Sequence, residues 1–89
     1  MANRELTIVN KLGLHARAAA KLVTLASGFE SDITIKRGNQ EVNAKSIMGV
    51  MMLAAAKGVE IEICADGSDA DEALTEISQL VQNRFGEPE

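Results

Sequence analysis

Hydrophobic positions along the chain switch between a period of two and a period of about 3.6, and each switch marks a new element. Leu6 and Ile8 alternate with Glu5 and Thr7, which predicts a half-buried strand ending near Asn10. Gly13 turns the chain. From about Ala16 to Ser27 the apolar stripe Ala19, Leu22, Val23 and Ala26 has helical spacing, with Gly28 placed to close the helix. Ile33 and Ile35 return to strand period, Arg37-Gly38-Asn39 reads as a hairpin turn, and a short third strand passes through Val42. Ser46 stands as an N-cap before the short helix Ile47 to Leu53, where Gly49 costs roughly 1 kcal/mol relative to alanine. Val59, Ile61, Ile63 and Ala65 face one side of a fourth strand, with Glu60, Glu62 and Cys64 on the other. Asp66-Gly67 turns, and Ser68-Asp69-Ala70-Asp71 has the form of a capping box with Asp71 in the acidic position. A last helix runs to about Phe85 with Ala70, Leu74, Ile77 and Val81 along its stripe. The order is β-α-β-β-α-β-α without repeat or linker. It predicts an α+β fold in which helices cover one face of an antiparallel sheet.

Composition narrows the function classes. At 89 residues, residues 1–89 form one expected domain with a single modest core. Nine basic against 13 acidic residues give a net charge of −4, the wrong sign for a binder of phosphate backbones. With two Phe and no Tyr or Trp there is also no base-stacking platform, so nucleic acid is not an expected partner. Cys64 is the only cysteine, which leaves no internal disulfide and no cysteine-rich metal site. The segment from Met1 to Leu6 is polar, and no run approaches about 18 apolar residues. A cytoplasmic protein with no membrane insertion is therefore expected.

The candidate chemistry lies in Gly13-Leu14-His15-Ala16-Arg17, which contains the only histidine. A helix N-terminus offers unpaired N–H groups and the positive end of the helix dipole, so it receives anions, phosphate above all. His15 would then be a nucleophile beside a phosphate cradle made by the N–H groups of Ala16, Arg17 and Ala18, with the Arg17 guanidinium as a charge-assisted donor. The positive helix end favours a neutral ring, whose free nitrogen already has a lone pair, so no general base is needed. No metal or other cofactor is expected, and no carboxylate cluster lies near His15 in the sequence. Elsewhere a lone histidine before a helix is most often a cap or a solvated residue, and a serine such as Ser46 is first of all an N-cap. Ile47, Met48, Met51 and Met52 crowd a helix too short to bury them all, so some are expected at the surface, where methionine suits several partners.

Two segments together, Gly13 to Arg17 and Lys45-Ser46-Ile47-Met48-Gly49-Val50-Met51, make the whole chain resemble the HPr family. These are the histidine-containing phosphocarriers of the bacterial phosphoenolpyruvate-dependent sugar phosphotransferase system. The resemblance implies an open-faced β-sandwich with sheet order 1-4-2-3 and three helices on one face. It implies a monomer in which His15 is phosphorylated at Nδ1 by enzyme I and passes the group to a histidine on a IIA domain. In such a role the protein is a covalent intermediate and not a turnover enzyme. Regulatory phosphorylation by an HPr kinase/phosphorylase maps onto Ser46. The docking patch maps onto Ile47, Met48 and Met51 beside Ala16, Arg17 and Ala20. Two positions depart from the family pattern: Ala18 stands where proline is usual, and Leu12 where many relatives carry a small polar residue. The alternatives are a phosphocarrier of the nitrogen-regulatory branch, a regulator that binds partners and never carries phosphate, or a small domain that holds an anionic metabolite.

Overall fold

A computed structural model describes residues 2–89. Four strands, β1 (Ala2–Thr7), β2 (Asp32–Arg37), β3 (Gln40–Asn43) and β4 (Glu60–Asp66), form one antiparallel sheet in the order β1-β4-β2-β3. Three α-helices accompany it: α1 (Ala16–Ser27), α2 (Ile47–Met52) and α3 (Ala70–Gln82). The architecture is therefore the one expected. Burial alternates along β2 and the first half of β4 because one face of the sheet meets the helices. Ile33 and Ile35 of β2 and Ile61, Ile63 and Ala65 of β4 are buried, and they pack with Leu22, Ala26, Leu74, Ile77 and Val81 from the helices in one core. Burying side chains of the Leu, Ile and Val size stabilises by about 1.5–3 kcal/mol each.

Local departures from the expected elements have physical causes. The first strand ends at Thr7, although Ile8 N–H still donates to Val59 O at 2.9 Å and Gly58 N–H donates to Ile8 O at 2.8 Å. The stripe of α1 buries Ala18 in place of Val23, which is only half-buried. Cys64 does share the outer face of β4 with Glu60 and Glu62, yet it is buried, because β4 is flanked by Asn3 of β1 and Thr34 of β2. The two-residue turn Gly38-Asn39 joins Arg37 to Gln40, and Gly38 has φ 57°, a conformation in which glycine carries no Cβ penalty.

No capping box forms at the start of α3. Asp69 occupies the N-cap, but its carboxylate leaves the helix and accepts from Glu30 N–H at 2.8 Å, Ser31 N–H at 3.0 Å and the Ser31 hydroxyl at 2.5 Å. It thus ties the α1–β2 loop to the start of α3. Ser68 is drawn away as well, its hydroxyl donating to Glu30 at 3.2 Å. The Ser31 hydroxyl first, then the backbone N–H of Glu30, hold the Asp69 carboxyl below the ordinary aspartate value of 3.8. A carboxyl lowered in this way contributes stability that is complete above the unfolded value and is lost as pH falls through the folded one. Asp69→Asn should accordingly lower the urea midpoint at pH 7. The gap from wild type should narrow as pH drops below 3.8, as measured by denaturation across that range.

Candidate functional site

The turn that delivers His15 is held by two loops pressed together. Gly13 has φ 66°, and a Cβ built there would come within 2.5 Å of Ala55 O and 2.9 Å of the Ala56 Cα. Only glycine accepts both the left-handed backbone and this approach. The next N–H, that of Leu14, donates to Ala55 O at 2.8 Å, and the Leu14 side chain is buried. His15 follows as the N-cap of α1 with extended backbone (φ −73°, ψ 177°), and its carbonyl accepts the Ala19 N–H at 2.8 Å. Ala16, Arg17 and Ala18 N–H groups donate to no backbone carbonyl among the described residues, which leaves three donors at the positive end of the helix.

The imidazole is not a side-chain cap. Its Nε2 is hydrogen-bonded to Oε2 of Glu87, from the segment after α3, while Oε1 of the same carboxylate accepts from Asn10 Nδ2 at 2.9 Å. Asn10 is wholly buried and uses the same amide nitrogen to donate to Gly13 O at 2.8 Å. Hydrogen bonds from Asn10 first, and then from His15, hold the Glu87 carboxyl below its ordinary value. The Glu89 carbonyl accepts the Lys11 N–H at 3.1 Å. Lys11, Leu12, His15, Ala16, Arg17, Glu87, Pro88 and Glu89 line an open depression of about 550 Å³. Two carboxylates therefore reach a site that has none nearby in the sequence. Among the described residues no group of three or more His, Cys, Asp or Glu side chains is placed to hold a metal ion.

The other candidate residues separate into two groups. Arg17 and Ala16 are exposed at the depression, Ala20 is half-buried one turn on, and the Ala18 side chain is fully buried, leaving only its backbone to the site. Ser46 caps α2, its hydroxyl accepting the Gly49 N–H at 3.2 Å. Ile47, Met48 and Met51 are exposed, Met48 to 68%, and none of them lines the depression around His15. Leu12 is 65% exposed at its rim, so the apolar replacement at that position faces outward. Sequence spacing gives no sign of Asn10 or Glu87, which lie 77 residues apart and meet only through the fold.

Comparison with known proteins identifies the family. The family profile described as "PTS HPr component phosphorylation site" matches residues 2–83. The phosphocarrier protein HPr of Xylella fastidiosa strain Temecula1 is 54% identical over 87 residues, covering 98% of both chains. The phosphocarrier protein NPr of Shewanella violacea is 49% identical over 84 residues, covering 94% of this chain and 92% of its own. A crystal structure of HPr from Thermoanaerobacter tengcongensis superimposes with a TM-score of 0.96 at 43% identity over the whole of both chains. The chain belongs to the HPr family, the phosphocarriers of the phosphotransferase system. Because Gly13 meets backbone and not a flexible side chain, Gly13→Ala should destabilise the fold by about 2 kcal/mol or more, read as a fall in the denaturation midpoint.

Proposed function

We propose that His15 is the residue on which this family member carries its phosphoryl group, accepting it from enzyme I and giving it to IIA domains of the phosphotransferase system. The observation that carries the reading is the placement of the only imidazole at the N-cap of α1, directly before three unpartnered N–H groups. The lone pair of Nδ1 forms the new N–P bond while the bond to the donor's ring nitrogen breaks and returns its electron pair to the donor. No proton has to leave His15 in this step: the proton on Nε2 stays, and the Glu87 carboxylate faces the positive charge that the ring acquires. The transferring group bears negative charge on its oxygens, and the N–H groups of Ala16, Arg17 and Ala18 supply fixed donors for them. Arg17, which makes no hydrogen bond or ion pair among the described residues, is free to add its guanidinium. Incubation with enzyme I and phosphoenolpyruvate should add one acid-labile phosphoryl group by mass, and His15→Ala should add none while remaining folded. Arg17→Ala should slow stopped-flow transfer on the order of 10- to 100-fold, the weight of one charge-assisted hydrogen bond.

Ala16, Arg17 and Ala20, together with Ile47, Met48 and Met51, form the surface that meets both enzymes. Its support is the exposure of apolar side chains on α2, which packs beside α1. Ser46 is the regulatory site, phosphorylated by an HPr kinase. Its hydroxyl sits at the N-terminus of α2, and the first turn holds no acidic residue to repel a phosphate. The same charge beside Ile47 and Met48 opposes apolar docking. Ser46→Asp should therefore be at least as thermally stable as wild type yet accept phosphate from enzyme I more slowly. That inhibition should shrink as salt is raised, since the repulsion lies at an exposed interface.

A further inference from the structure

The chain spends conformational strain to bring Glu87 to His15. After α3, Arg84 and Phe85 take φ values of 56° and 54°, and Gly86 has 78°. Left-handed backbone costs a non-glycine residue roughly 1–2 kcal/mol, so two in succession need compensation. Phe85 supplies part of it by being completely buried, and its carbonyl accepts from Lys21 Nζ at 2.7 Å. The reversal sends residues 87–89 back over the start of α1, where Glu87 meets Asn10 and His15 and the Glu89 carbonyl meets Lys11 N–H. Asn10 carries a second cost. Its Oδ1 is buried without a hydrogen-bond partner among the described residues, although its Nδ2 donates both to Gly13 O and to Glu87. Reversing the amide would set its oxygen against a carbonyl and a carboxylate, so its orientation is dictated by the need to donate to both.

We propose that Glu87, held by Asn10, is a positioning residue for phosphoryl transfer that fixes the ring tautomer of His15. A carboxylate can only accept, so the proton of the neutral ring stays on Nε2 and the lone pair stays on Nδ1. The ring is then ready for attack without a prior shift of its proton, and it is held against rotation by the same contact. Arg17, by contrast, acts on the incoming group and not on the ring. The assignment rests on the reading of His15 as the phosphoryl acceptor.

The test uses the full chain with ¹⁵N-labelled histidine at about pH 8, where an ordinary imidazole is neutral. Wild type should show a single ring pattern with Nε2 protonated and Nδ1 unprotonated. In Glu87→Ala the two ring nitrogens should move toward averaged shifts, and transfer from phosphorylated enzyme I should slow by roughly tenfold or more. Glu87→Gln keeps the volume but has one oxygen for two donors, Asn10 and His15, so it should fall between the two; it also serves if Glu87→Ala does not fold. Phosphorylated wild type combined with a Glu87 variant unchanged in ring pattern or in rate overturns the proposal alone. A wild-type chain that takes up no acid-labile phosphate overturns the acceptor reading, and the proposal with it.

Discussion

Everything at the functional end of this molecule hangs on the contact between the loop before α1 and the loop after α2. Leu14 N–H donates to Ala55 O, and Gly13 lies so close to Ala55 and Ala56 that no side chain fits between them. That contact fixes where α1 begins, and hence which three N–H groups remain without carbonyl partners. It also links the site to α2 through the backbone. The carbonyls just after α2 are tied to the sheet, since Arg37 of β2 donates to Leu53 O at 2.6 Å and to Ala54 O at 3.0 Å. The short helix carrying Ser46 and the loop delivering His15 are therefore supported by one clasp, built from a main-chain hydrogen bond and two donated by the Arg37 guanidinium to main-chain carbonyls.

Around that clasp, charges of both signs are set at short range. The N-terminus of α1 and Arg17 present positive potential to an incoming anion, while Glu87 presents a carboxylate to the ring itself. These influences do not cancel, because they act on different atoms. The N–H groups lie ready for the oxygens of a phosphoryl group, and the carboxylate engages Nε2, the ring nitrogen away from the one that would be phosphorylated. Reversible transfer needs a group held firmly enough to form and loosely enough to leave. An open depression with a few fixed donors fits that requirement better than an enclosed pocket would.

The exposed face of α2 is a separate device. A six-residue helix containing Gly49 has little intrinsic stability, and it buries only Val50. Its Ser46 cap and its packing beside α1 hold it in place while Ile47, Met48, Met51 and Met52 stay at the surface. Thioether side chains there can adapt to partners of different shape. A change of charge at the cap thus acts where the helix is weakest and where the surface is most apolar.

The sequence by itself determined the elements, their order and the place of the single histidine directly before α1. Each of these depends on residues within about one turn or one hairpin: the apolar period, Gly13 before α1, Ser46 before α2 and Gly38 between β2 and β3. Resemblance to the family added the strand order, which periodicity cannot supply. The tertiary structure alone decided which polar groups meet. Asp69 left its own helix for Ser31, 38 residues away, because those N–H groups needed an acceptor more than the first turn of α3 did. The burial of Cys64 followed from the neighbours that β4 acquires in the sheet. Glu87 reached His15 across 72 residues because α3 stops at Gln82 and the chain reverses around a buried Phe85. Such contacts leave no periodic trace, since a hydrogen bond between distant segments depends on where the whole core has brought them and not on the residues beside either partner.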